Sequence, residues 1–309
     1  MKETKRLLAM QKLRRFFLGM NFVDGFLYKF VIYTLLVCFA YIYLYPVLFM
    51  IVNSFKTIDD LIDPGVRWVP TVWNLANYTK ALEVLELPKS VWETTSYVLK
   101  MSLAATASSA IVGYGFAKFH FPGKKIMFVL MLATFILPSQ VTMVANMLIY
   151  KNLDLMSTQW SMLLPAIFGQ GLNAAIYILI FNQFFKSIPG VLMESAEVDG
   201  ASQGQIFVKI ALPLAIPSII VVFLFSFVWY WNETFMTALY VGGSVTLPLK
   251  LQQFVATYQE LFPAGTPGAE LNEAIKMAGN VLTILPLLIL YFFAQRYFVE
   301  SVDRTGITG

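Results

Sequence analysis

Residues Ser187 to Gln205 are the most informative stretch of polar and backbone-special side chains in a largely apolar sequence. Pro189 suits a first helical turn, and Gly200 suits the left-handed position that ends a helix. Ser202 and Gln205 have the spacing of a capping box for a second helix. A helix, a break and a helix, followed by Phe207, Ile210, Leu212 and Pro213, make a short rigid knob whose chemistry is docking rather than bond making. The rest of the chain offers little for catalysis, since no nucleophile is paired with a base in a plausible arrangement. A phosphate-wrapping loop needs Gly, four residues, then Gly-Lys and Ser or Thr. The nearest fragment, Gly123-Lys124, has Lys118 where the first Gly belongs and Lys125 where the hydroxyl belongs. No P-loop is therefore present, and the chain is read as no enzyme. His120, the only histidine, sits in a short basic turn without metal-ligand partners, so no metal site is expected.

These residues must be held by elements that the composition restricts sharply. The chain has 309 residues, 58% of them hydrophobic and 13% charged, with a mean hydropathy of +0.68. Soluble domains are about 25% charged, so an all-α membrane protein is expected. Six uncharged intervals, Lys29 to Lys56, Lys100 to Lys118, Lys125 to Lys151, Asp154 to Lys186, Lys209 to Glu233 and Lys276 to Arg296, contain 26, 17, 25, 31, 23 and 19 residues. A spanning helix needs about 20 residues, within about 17 to 25, so six transmembrane helices fit, with some loop inside the fourth. One membrane domain over 27–299 is the simplest reading, with a tail at 300–309.

Ahead of it, residues 1–26 interleave Lys2, Lys5, Arg6, Lys12, Arg14 and Arg15 with Leu7, Leu8, Leu13, Phe16 and Phe17, as in a basic amphipathic helix on an anionic leaflet; the alternative is a disordered basic tail. The run from Phe30 to Val52 is too long for a secretory signal and no small-residue cleavage site closes it. With the N-terminus inside, inner segments hold fourteen Lys and Arg residues and outer segments seven, which puts both termini in the cytoplasm. Nucleic acid binding has no support, because no soluble segment interleaves aromatic and basic residues.

Ala105, Ser109 and Gly113 share one helical face, where small side chains admit another helix. Pro46, Pro138, Pro165 and Pro286 lie inside apolar runs and are expected to be tolerated kinks. Cys38, the single cysteine, is expected as a small buried residue. Two long outer loops stand out, from about Ser54 to Glu93 and from about Gly242 to Glu273. The second is expected to be a stiff non-helical finger tipped by Phe262, Pro263, Ala264 and Gly265. Glu233 follows Pro213 by twenty residues, about 30 Å of helix, so it falls near the outer interface, where a charge costs less than at the midplane.

At the 187–213 segment the chain resembles the permease subunits of ATP-binding cassette importers. Their inner loop carries Glu-Ala-Ala, three residues, Gly, nine residues, Ile, one residue and Leu-Pro; Glu194, Ala196, Gly200, Ile210, Leu212 and Pro213 match, Asp199 and Ala201 match the extended form, and Ser195 replaces an alanine. The resemblance extends to the maltose-type carbohydrate branch through Asn53-Ser54-Phe55-Lys56, Tyr114 to Lys124, Trp231-Asn232-Glu233 and Gln295-Arg296. The residues Glu300 to Gly306 depart from the more Gly-rich tail of that branch.

The resemblance implies a type I importer permease fold in a prokaryotic cell membrane, with a second permease, two ATPase subunits that bind ATP and Mg, an extracytoplasmic solute-binding protein and a sugar substrate. It makes 187–213 the ATPase-coupling loop and Phe262, Pro263 and Gly265 part of a loop that meets the binding protein; Trp231, Asn232 and Glu233 are expected as a structural or outer-gate group, with direct sugar contact in the pathway as the alternative. Aromatic residues, 16% of the chain, suit sugar stacking and equally suit membrane belts. The alternatives are a self-contained secondary transporter, which would show midplane acids and paired broken spans, an importer permease for a non-sugar solute, or a membrane-anchored assembly protein.

Overall fold

The computed structural model describes residues 25–243, 245–266 and 268–306, with side chains as far as Gln295. The basic amphipathic segment expected at the N-terminus lies, up to residue 24, outside the described residues. Every described element is helical. The described chain up to Tyr78 with Asn272–Val281 makes one compact unit, and Thr79–Leu271 with the chain from Leu282 onward makes a second.

In the first unit, α1 (Phe26–Ser54) runs through Pro46 without breaking. Its spanning window has no buried residue, and Cys38, expected buried, is exposed. Against lipid an apolar helix surface needs no cover from its own chain, so apolarity did not imply burial. The first long loop then forms α2 (Ile58–Ile62), started by Thr57 Oγ1 accepting from Asp60 N at 3.3 Å, and reaches α3 (Ala76–Val84).

The second unit is built on α4 (Leu87–Lys118), 32 residues long with Pro in its first turn. At 1.5 Å per residue it is about 48 Å long, and its Ser, Thr, Ala and Gly residues keep it from reading as strongly apolar. After the turn at Gly123, α5 (Lys124–Ile136) and α6 (Ser139–Asn152) meet at 101°. The run from Lys125 to Lys151 is thus broken at Pro138 rather than gently kinked. Leu137 is extended, with ψ 120°, because the ring of a following proline drives its neighbour out of the helical region. Pro46, Pro165 and Pro286 do lie inside helices.

α7 (Trp160–Ile167) and α8 (Ala174–Ser187) share the fourth apolar interval, separated by a bend in which Asn173 takes a left-handed φ of 55°. The small-residue face of α4 receives α8. A Cβ on Gly113 would stand 2.6 Å from Phe181 Cβ and 3.1 Å from Ile178 O, so only glycine admits this approach. Ser109 and Ala105, about one and two turns earlier, are buried on the same face.

The chain continues through α9 (Gly190–Val198), α10 (Gln203–Ile206), a π-helical turn at Phe207–Ala211, α11 (Leu212–Leu214) and α12 (Ile216–Asn232). α8 and α9 meet at 72°, and the helical run Gln203–Leu214 meets α12 at 76°. Beyond α13 (Phe235–Tyr240), the second long loop carries α14 (Leu247–Gln252) and α15 (Phe254–Leu261). The expected non-helical finger is therefore mostly helix. Pro248 falls in the first turn of α14, where a missing N–H costs nothing, and the irregular backbone is confined to the two ends of the loop, at Gly242 and Gly243 and around Pro263 and Gly265. α16 (Glu273–Gly306) closes the chain and runs on past residue 300 as helix. Among the described residues α1 and Glu273–Gln295 are long and apolar enough to cross a membrane, and three bent helix pairs raise that number to five.

Candidate functional site

The 187–213 segment is shaped by its own sequence. α8 stops before Ile188, whose ψ of 123° is imposed by Pro189, and Pro189 then stands at the N-cap of α9. At the far end Gly200 has φ 82°. Its N–H donates to Glu197 O at 3.0 Å while Ala201 N–H donates to Ala196 O at 2.9 Å. This pair of bonds is the Schellman closure, and Ala196 and Ala201 pack on one apolar cluster beneath it. The Ala, three residues, Gly spacing is therefore the sequence form of a helix stop. Ser202 Oγ accepts from Gln205 N at 3.4 Å and Ser202 N donates to Gln205 Oε1 at 2.9 Å, the expected capping box.

The segment has two faces. Met193, Ile206 and Ala211 are buried with Tyr114 of α4, Phe181 and Phe185 of α8 and Val222 of α12, and Ala196, Ala201, Ile210 and Leu212 pack against that cluster. Glu194, Ser195, Asp199, Gly200 and Pro213 are exposed, beside Val191 and Val198, which are 72% and 87% exposed. Glu197 on this side accepts from Gln203 Nε2 at 2.5 Å. An acidic surface with apolar side chains left uncovered is thus mounted on a dry core.

Two supports were invisible in the motif. Lys118 Nζ donates to Ile188 O at 3.0 Å, which ties the end of α4 to the start of the segment. The Tyr114 and Phe207 rings lie 4.8 Å apart, so the Tyr114–Lys124 motif and the 187–213 motif form one structure. Only the apolar spacing of Met193, Ile206 and Ala211 could have signalled the buried side.

The structure does not bring Trp231, Asn232 and Glu233 into that site. Trp231 is 2% exposed and stacks on Phe227 at 5.9 Å. Asn232 Nδ2 bonds back to Val228 O at 2.9 Å, and Glu233 Oε1 accepts from Met236 N at 2.6 Å at the start of α13. These are packing and capping contacts. His120 is exposed, and among the described residues no three His, Cys, Asp or Glu side chains gather as metal ligands.

The Asn53–Lys56 motif organises the loop after α1. Lys56, 3% exposed, donates to Val66 O at 2.7 Å and Arg67 O at 3.0 Å, and Asn77 Nδ2 donates to Ser54 O and Lys56 O, each at 2.9 Å. Asp60 accepts from the Thr71 hydroxyl at 2.5 Å and its N–H at 3.0 Å; the hydroxyl bond leads in holding its carboxyl below the ordinary value. In the second unit, Leu247 N donates to Thr94 Oγ1 at 2.7 Å and Lys250 Nζ meets Glu86 Oε2 at 2.6 Å. That bond, more than any other contact, lowers the Glu86 carboxyl. Phe262 is half-buried against Tyr258, ring to ring at 4.8 Å, so it is no free tip. Pro263, Ala264 and Gly265 are exposed.

Comparison with known proteins bears on this arrangement. Residues 109–304 match the family model described as binding-protein-dependent transport system inner membrane component. The polygalacturonan/rhamnogalacturonan transport system permease protein YtcP of Bacillus subtilis is 30% identical over 292 residues, 92% of this chain and 99% of that protein. An arabinooligosaccharides transport system permease, AraQ of Halalkalibacterium halodurans, is 29% identical over 87% of this chain and 93% of its own length. One chain of a crystallised bacterial ABC transporter involved in import of the acidic polysaccharide alginate has the same fold, with a TM-score of 0.67 at 21% identity over 88% of this chain and 96% of that one. A two-faced knob on a helical core sits in a chain matched by that model over most of its length, and the chain belongs to the family of binding-protein-dependent transport system inner membrane components.

Proposed function

We propose that the chain is one of two permease subunits of an ATP-driven sugar importer in a prokaryotic cell membrane, and that its substrate is an oligosaccharide. The family supports the transport role, and relatives that are transport system permeases for polygalacturonan/rhamnogalacturonan, arabinooligosaccharides and α-glucosides support the substrate class. The five candidate spans and bent pairs together with α4 support six crossings, and the excess of Lys and Arg in alternate segments supports cytoplasmic termini. ATP and Mg would be bound by two partner ATPases, and the sugar would be delivered by an extracytoplasmic solute-binding protein.

The observation that carries the reading is the two-faced 187–213 segment. Glu194, Ser195, Asp199 and Gly200 offer the ATPase an exposed surface, while Met193, Ile206 and Ala211 are sunk between α4, α8 and α12. A push on the outer face cannot be absorbed locally, because close-packed interiors transmit displacement. It would move α4 and α8 as a body through the Tyr114, Phe181 and Phe185 rings and the Lys118 bond to Ile188 O. Alternating access then follows from rocking of this body against the second permease.

The test has two arms. Tagged protein purified from cells carrying the complete transporter should bring down a second permease and an ATPase. Uptake of labelled galacturono-oligosaccharide, arabino-oligosaccharide and α-glucoside should show ATP-dependent accumulation of at least one. Recovery without an ATPase overturns the importer reading, and accumulation of none of the three overturns the substrate class.

A further inference from the structure

One side chain ties the two long loops together in a way that neither loop's sequence announces. Lys80, on α3, extends its ammonium to Gly268 O at 3.1 Å, 188 residues further along the chain. The same carbonyl accepts from Tyr258 OH at 2.6 Å. The ammonium also stands 5.9 Å from the ring centres of both Tyr258 and Phe262, within range of cation–π attraction. Tyr258 is fully buried and Lys80 partly so, which shields the charge from water. Gly268 fits this clasp on two counts. Its φ is 90°, and a Cβ there would meet Lys80 Nζ at 3.3 Å.

The clasp closes around a turn whose backbone bonds, among the described residues, stay within it or reach only the neighbouring Ala269. Pro263 O accepts from Thr266 N at 3.1 Å and from Thr266 Oγ1 at 2.7 Å, and Gly265 has φ 90°. The turn is internally rigid and exposed, so its direction is set at its two ends, Phe262 and Gly268. Both ends are held by Lys80 together with Tyr258. The base of the loop is fixed separately by Thr94 with Leu247 and Glu86 with Lys250, so releasing Lys80 leaves α14 in place.

We propose that Lys80 is a positioning residue for transport: its ammonium clasps Phe262, Tyr258 and Gly268 and sets the direction in which the Pro263–Thr266 turn is presented. The consequence for transport rests on the importer reading above, together with the loop contact to a solute-binding protein that the family resemblance implies for Phe262, Pro263 and Gly265.

The experiment uses the complete transporter with Cys38→Ser and a nitroxide attached at Ala264→Cys. Its spectrum is recorded in nanodiscs, and uptake of the three labelled oligosaccharides is measured in cells with the unlabelled Lys80 variants. Lys80→Met keeps the aliphatic stem and removes the charge, and Lys80→Arg restores a cation that can donate and stack. The expected result is a line that narrows in the Met variant and stays broad in the Arg variant, with uptake several-fold lower in Met alone and normal amounts of membrane protein in both. An unchanged line in the Met variant overturns the clasp. A narrowed line with wild-type uptake overturns its part in transport. Failure of the otherwise unaltered transporter to take up any of the three sugars overturns the functional reading instead, while the line shape still decides the clasp.

Discussion

Replacing Gly200 by valine isolates the backbone geometry of the exposed knob from its contacts. No atom lies within 4 Å of a Cβ built on Gly200, so the new side chain collides with nothing, and the whole effect comes from φ 82°. A left-handed conformation costs an L-residue about 1–2 kcal/mol, and branching at Cβ puts valine at the upper end or beyond. If the turn rearranges to escape, it gives up the bonds from Gly200 N to Glu197 O and Ala201 N to Ala196 O, each worth about 1 kcal/mol net. Either route disfavours the observed turn by about 2–3 kcal/mol, roughly 30- to 150-fold in population. The segment is surface structure, so insertion and the buried core should survive. Uptake per inserted molecule should fall by more than tenfold, assayed against membrane protein quantified by blot. Gly200→Asn should retain most uptake, since asparagine tolerates the left-handed region. Equal uptake by the valine variant and wild type, or equal loss with valine and asparagine, would refute the reasoning.

Three further outcomes follow from other parts of the molecule. Glu194→Lys reverses charge on the exposed acidic face and should weaken recovery of the ATPase in co-purification without lowering the amount of membrane-inserted permease; full recovery with substrate-stimulated hydrolysis would misassign Glu194. Gly113→Ala forces a Cβ to within 2.6 Å of Phe181 Cβ and should destabilise by about 1–3 kcal/mol through overpacking, whereas Gly115→Ala, with nothing within 4 Å, should be neutral or stabilising; apparent melting temperatures in detergent compare the two. The Glu86 carboxyl is held below its ordinary value by Lys250, so its contribution is present above the unfolded value of about 4.3 and is lost as pH falls through the lower folded value. Hydrogen exchange in 247–252, corrected for intrinsic rate, should therefore rise on acidification below about pH 4 in wild type and change far less in Glu86→Gln.

The sequence by itself determined whatever depends on neighbours a few residues apart. Pro189, Gly200 and the Ser202–Gln205 pair specify a helix start, a helix stop and a second start through bonds that span three to five residues, and the structure forms that stop and the capping box as expected. Ala105, Ser109 and Gly113 likewise announced a close helix contact, because a shared face follows from helical period alone. The same reasoning misjudged Pro138 and the 247–261 stretch, where composition was read without regard to position. A proline breaks a helix or begins one according to whether its place needs the N–H it lacks.

Only the tertiary structure decided which surfaces meet. It selected α8 for Gly113, joined Tyr114 and Lys118 to the segment around Ile188 and Phe207, put Glu233 to work as a cap, and brought Lys80 to Gly268. Lysine 118 and its acceptor are 70 residues apart and Lys80 and its acceptor 188. No periodic pattern encodes such pairs, because a lysine that will meet a distant carbonyl has the same local sequence requirements as one that will stay in water. The local chemistry wrote the shape of the knob, and the packing of remote helices chose what the knob is fastened to.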